Sequence, residues 1–160
     1  MTKDKKTVIA AVMIASVLLG LEHGGVQYIL LSMAEDFGMN KAAMGSLVSV
    51  EFFAVTIAPL VMGVISDRTG KRLVIIIFSA VFFAGALTCG LSGAPWMTIA
   101  GMFLTGSAFG SIEMACSAIL ADEFPESSGK YMSIMQGVIS AGCVISPLLV
   151  AFLSGHFGFS

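Results

Sequence analysis

Apolar residues fill five long runs along the chain, Val8 to Leu31, Ala42 to Ile65, Leu73 to Leu91, Trp96 to Leu120 and Met132 to Leu153, with short polar segments between them. Each run holds about twenty residues or more, and at about 1.5 Å per residue a helix of that length crosses a hydrocarbon core roughly 30 Å thick. The apolar positions come in blocks and not at amphipathic spacing, the pattern of helices with an apolar surround on every side. Between them, Asn40 is placed to cap the second helix and Pro95 to open the fourth. None of the connections could hold a soluble domain. The pattern predicts an all-α, transmembrane protein with all of residues 1–160 in one partial helix bundle.

The segment Gly63-Val-Ile-Ser-Asp67-Arg68-Thr-Gly70-Lys71-Arg72 is the most densely charged link between two runs. It is expected to form a tight turn at one membrane face, because its charges cannot lie in lipid. Gly70 can take a positive φ and reverse the chain, and Gly63 is expected to let another helix approach closely. Counting Lys and Arg sets the orientation. Lys3, Lys5, Lys6, Arg68, Lys71, Arg72 and Lys130 fall on the face of this turn and only Lys41 on the other, which places the N-terminus in the cytoplasm of a multi-pass plasma-membrane protein. Trp96 and Tyr131 read as anchors at interface depth.

Composition agrees and narrows the classes. The chain is 57% hydrophobic and 11% charged, with mean hydropathy +0.97. It has no basic patch for nucleic acid. The basic start followed by an apolar run is reminiscent of a signal peptide, but no small-x-small site closes the run and its apolar character continues past Glu22, so the first helix is expected to be retained. Cys89, Cys116 and Cys143 stand singly inside apolar runs, as small packing residues do. No nucleophile–base pair, metal cluster or phosphate loop is present, so an enzyme is not expected, nor a cofactor.

Chemistry concentrates in three carboxylates inside the runs, Glu22, Glu51 and Glu113, with no Lys or Arg inside any run to neutralise them. A charge at the centre of a membrane helix costs about 2.5 to 3.5 kcal/mol, so each must be protonated, hydrated in a cavity, or paired with a helix outside this sequence. Such a group suits a proton carrier; it also suits a neutral acid hydrogen-bonded to its neighbour. His23 and Gln27 share a polar face beside Glu22, where His23 either relays a proton or bonds a backbone carbonyl. Tyr28, further along the same helix, is a candidate cavity aromatic, and Gly24 and Gly25 are expected to loosen the helix.

An internal repeat is legible. At an offset of 88 the second run falls on the fifth without a gap, pairing Val50 with Val138, Ile57 with Ile145, Pro59 with Pro147 and Gly70 with Gly158. Leu21-Glu22 then corresponds to Ile112-Glu113, which predicts a repeated three-helix unit.

The spacing Gly63-x-x-x-Asp67-Arg68-x-Gly70-Lys71-Arg72 resembles the loop signature between the second and third helices of the major facilitator superfamily of secondary transporters. The resemblance implies helices one to five of the N-terminal six-helix bundle of that fold. It also implies that Asp67, with the basic residues, latches the two halves in the outward-facing state. The segments Glu113-Met-Ala-Cys-Ser-Ala, Pro125-Glu-Ser-Ser-Gly-Lys130 and Gly142-Cys-Val-Ile-Ser-Pro147 are similar to the fucose:proton symporter branch. This implies proton coupling or sugar binding at Glu22 and Glu113, with Gln136 at a polar cavity position. Two departures stand out. Met102 occupies the place of an arginine that many proton-coupled members carry, and the helix-five antiporter pattern keeps only its first glycine, Gly142, and its proline, Pro147.

The expected function is therefore secondary active transport, proton-coupled uptake of a sugar or other small polar organic solute driven by the proton gradient. The alternatives are a drug:proton efflux antiporter, or a truncated or split product that does not transport without a partner chain. The expected partners are the lipid bilayer, protons, a small solute, and the missing C-terminal helices or a partner chain that supplies them.

Overall fold

The computed structural model describes the backbone of residues 3–36 and 38–157, with their side chains except those of 3, 4, 27–29, 31–36, 67, 154, 155 and 157. Five long helices make up nearly all of it: α1 (Lys3–Asp36), α2 (Lys41–Thr69), α3 (Lys71–Gly90), α4 (Pro95–Glu123) and α5 (Ser128–Phe157), with one 3-10 turn at Pro125–Ser127. Each is long and apolar enough to cross a membrane. Asn40 caps α2 as expected, its side-chain oxygen accepting from the Ala43 N–H at 2.9 Å, and Pro95 opens α4.

The helices overrun the apolar runs at their polar ends, and the largest correction lies there. Residues 63–69 do not form a turn; they are the last turns of α2, and Gly70 alone separates α2 from α3. Its φ of 91° and ψ of 138° make the reversal. The Gly70 N–H donates to Ser66 O at 2.9 Å, closing α2, while Gly70 O accepts from Leu73 N at 3.2 Å, opening α3. Nor does Gly63 receive another helix among the described residues, none of which comes within 4 Å of where its Cβ would be.

The chain divides into two compact units, one of residues 1–33 and 120–160, the other of residues 34–119. In the first, α1 meets α5 backbone to backbone. A Cβ on Gly20 would strike Ile139 O, one on Gly24 would strike Cys143 O and stand 2.8 Å from its Cα, and one on Gly142 would stand 2.9 Å from Gly20 Cα. The Ser146 hydroxyl, on the same side of α5, donates to Leu21 O. Gly24 and Gly25 therefore admit α5 rather than loosen α1, which runs through them unbroken.

In the second unit α4 is the hub. A Cβ on Gly106 would lie 2.6 Å from Glu51 O, and one on Gly110 would strike Val55 O and stand 2.8 Å from Pro59 Cγ. On its other side α4 takes α3, with a Gly85 Cβ 2.9 Å from Thr105 N and a Gly101 Cβ striking the Cys89 Sγ. Contact numbers rise together along α1 and α5, and along α2 and α4, so each of these pairs runs parallel; along α3 and α4 they run opposite.

These contacts give the repeat a geometric form. Gly20 and Gly24 of α1 touch the carbonyls of Ile139 and Cys143, and Gly106 and Gly110 of α4 touch those of Glu51 and Val55. Residues 51 and 139, and 55 and 143, are each 88 apart, the offset seen in the sequence. The glycine pairs, however, are 86 apart, not the 91 that aligns Glu22 with Glu113. In this register Glu113 matches Gln27, and Glu22 matches Ala108.

Steric contact at these glycines predicts a sharp split among glycine substitutions. Gly24→Leu or Gly110→Leu should lower stability by several kcal/mol, about the scale of a core overpacked against backbone, and Gly63→Ala should be neutral or stabilise by up to about 1 kcal/mol through helix propensity. Thermal unfolding of the purified protein in mild detergent measures both; equal losses at Gly24 and Gly63 would contradict the seam.

Candidate functional site

The residues singled out from the sequence divide between the two units. In the first, α1 carries Glu22 and His23, and both carboxyl oxygens of Glu22 and Nδ1 of His23 are shielded from solvent. Glu22, two residues from both Gly20 and Gly24, stands about half a turn round α1 from the face that meets α5. Gly20, Gly24 and Gly25 bring the α5 backbone and Ser146 onto the turns that flank Glu22, and the Ser146 hydroxyl bonds to the carbonyl of the peptide joining Leu21 to Glu22. Gln136, on α5, is exposed and stands about five residues, roughly 7 Å of helix rise, from the level of Glu22. The structure does not bring the two together. Gln27 and Tyr28 lie on α1, but their side chains are outside the described residues.

In the second unit Glu51 is 3% exposed, the most buried of the three carboxylates. Its carbonyl is the seat of Gly106. Glu113, half-buried on α4, lies seven residues beyond Gly106 on the same face, so about 10 Å of rise separates its level from that of Glu51. Glu51 and Glu113 share one pair of parallel helices at different levels. Met102, in the place of the family arginine, is 2% exposed and fills the core. Among the described residues no cluster of His, Cys, Asp or Glu could hold a metal ion, and none of the three cysteines is in a disulfide.

At the reversal between α2 and α3, Lys71 turns back to α4, its Nζ 3.4 Å from Ala118 O near the helix end. The negative end of the α4 dipole lies there, so a cation is well placed. Arg68 and Arg72 are exposed, and the Asp67 side chain is outside the described residues. Sequence reasoning missed the glycine seams, which had a signal in the four-residue spacing of Gly20 with Gly24 and of Gly106 with Gly110.

Five membrane-length helices, a one-residue reversal inside a Gly-x-x-x-Asp-Arg-x-Gly-Lys-Arg segment, and a family model for the Major Facilitator Superfamily that matches residues 12–160 agree with one another. The chain belongs to the major facilitator superfamily. Its all-α fold corresponds to part of the superfamily's transmembrane bundle, in a multi-pass membrane protein. Known superfamily relatives span different solutes. The chain is 28% identical to a gallate transporter of Pseudomonas putida over 87% of its own length and 31% of that protein. It is 28% identical to the facilitated glucose transporter member 10 of solute carrier family 2 from Xenopus tropicalis, over 89% of this chain and 26% of that one. It is 29% identical to the multidrug resistance protein MdtL of Klebsiella pneumoniae, over 73% of this chain and 30% of that one. The chain thus spans about a third or less of the length of these superfamily relatives.

At Gly70 it is the backbone conformation, not a neighbouring atom, that disfavours a side chain. With φ at 91°, Gly70→Ala should cost about 1–3 kcal/mol, and the loss should appear as a lower unfolding temperature in detergent. An unchanged midpoint would contradict the positive φ.

Proposed function

We propose that this chain forms part of a secondary active transporter that couples proton entry to uptake of a sugar or other small polar organic solute, in a branch similar to the fucose:proton symporters. The observation that carries the reading is Glu22, an acid inside a membrane-length helix with both carboxyl oxygens out of solvent. An ionised carboxylate is costly there, and a group that must be neutral in one state and charged in another is suited to carrying a proton. Glu113 serves as the second coupling or solute-binding group. Gln27, which stands in α1 where Glu113 stands in α4, contributes to solute binding with His23, Tyr28 and Gln136, and Glu51 supports the α2–α4 seam or takes part in coupling. The proton gradient is the energy source, the plasma membrane is the site, and the N-terminus is cytoplasmic. Helices beyond those described here, or a partner chain, complete the pathway.

In the same reading the reversal between α2 and α3 is a gate. Asp67, Arg68, Lys71 and Arg72, carried between Gly63 and Gly70, hold one face closed through charge contacts. The Lys71 bond to Ala118 O supports this, since it ties the start of α3 to the end of α4. Drug efflux is the second reading, favoured by the likeness to MdtL and weakened by the reduced antiporter pattern around Gly142 and Pro147.

Uptake of radiolabelled D-xylose, D-glucose and gallate by cells expressing the natural full coding region, under an imposed inward proton gradient, tests the proposal. Glu22→Gln or Glu113→Gln should abolish accumulation against a gradient while leaving membrane expression intact. Wild-type accumulation by both variants at every external pH would refute the coupling role, and increased resistance to lipophilic cations without solute uptake would favour efflux.

A further inference from the structure

Three contacts converge where α4 gives way to α5. The Lys5 ammonium, from the first turn of α1, donates to Glu123 O at 2.7 Å and lies 5.1 Å from the centroid of the Phe124 ring. Phe124 is 8% exposed, and its ring packs against Tyr131 of α5 with centroids 4.5 Å apart. Tyr131 is thus bound into this corner and not merely an interface anchor.

The end of α4 needs such a cation. Its last turn has no basic residue, and it carries Asp122 and Glu123 where the helix dipole is already negative. Lys5 supplies the missing charge from another helix. One ammonium, by a charge-assisted hydrogen bond and a cation–π contact, therefore holds together the start of α1, the end of α4 and the first turns of α5.

Position sets this contact apart from the glycine seam. Gly20 lies fifteen residues, about 22 Å of rise, from Lys5. The seam is backbone on backbone and has no slack, whereas the Lys5 tie is one long, flexible side chain on an otherwise separate helix end. When a membrane face opens, the tie at the end of α1 can break while the seam at its middle holds.

We propose that Lys5 is a positioning residue that latches the start of α1 onto the α4–α5 corner, and that this latch opens and closes once in each transport cycle. The inference rests on the transport reading above. The contact itself stands apart from that reading.

The test uses the natural full coding region with Cys89, Cys116 and Cys143 replaced by alanine. Lys5→Cys and Phe124→Cys are introduced together and bridged by a short bifunctional methanethiosulfonate that a reductant removes. Bridging should lower D-xylose or gallate uptake about tenfold or more, and reductant should restore it. Uptake unchanged by bridging overturns the latch. In parallel, hydrogen exchange of amides 121–124 should be about tenfold faster in Lys5→Met than in wild type and near wild type in Lys5→Arg, the scale of a lost charge-assisted bond. If the unbridged protein takes up neither solute, the transport reading fails for those solutes, and exchange alone decides: equal protection in wild type and Lys5→Met overturns the latch, and protection lost in Lys5→Met and kept in Lys5→Arg supports it.

Discussion

Backbone contact at paired glycines is the constraint on which this structure depends. In lipid there is no hydrophobic gain from bringing two apolar helices together, so association rests on van der Waals contact and on the few polar bonds that close approach permits. Gly20 and Gly24 let the carbonyls of Ile139 and Cys143 reach α1, and Gly106 and Gly110 do the same for those of Glu51 and Val55 on α4. Close approach then permits the polar contact. The Ser146 hydroxyl reaches Leu21 O across the α1–α5 seam.

The acids inside the helices stand differently toward the seams. Glu22 lies on the turn between two glycines that are packed on α5, about half a turn round the helix from them, and its carboxyl oxygens are shielded from solvent. Glu51 belongs to the α2–α4 seam through its own carbonyl. Duplication of the seam geometry shows that Glu22 and Glu113 are not equivalent positions. Glu113 is matched by Gln27, so the two halves of the repeat place an acid and an amide at one register, and Glu22 stands about one and a half turns before Gln27.

The ends of the helices follow a second rule, in which charge meets the helix terminus. Lys71 turns to Ala118 O and Lys5 to Glu123 O, both near the C-terminal end of α4, a helix without a basic residue in its own last turn. Basic residues at the polar ends of the apolar runs thus neutralise the negative end of a particular helix. The single residue Gly70 makes this economical, because a longer loop would carry Lys71 away from α4.

Five membrane-length helices, the cap at Asn40, the start at Pro95 and the positive φ at Gly70 were legible in the sequence because each depends on local chemistry: apolar length, a side-chain acceptor, a fixed ring, a missing Cβ. The offset of 88 between α2 and α5 was legible for the same reason, as a match of residues in order. Helix pairing was not. A glycine in an apolar run reads alike whether it meets a neighbour's backbone, as Gly24 does, or open space, as Gly63 does, and the choice depends on atoms more than a hundred residues away. The boundary of α2 was hidden as well, since polar residues 66–69 can continue a helix beyond its apolar length once Gly70 provides the turn. The sequence by itself determined which segments are helices and which of them carry acids; only the tertiary structure decided that α1 runs beside α5 and α2 beside α4, because that pairing is settled by the fit of one backbone into the gap left by another's glycines.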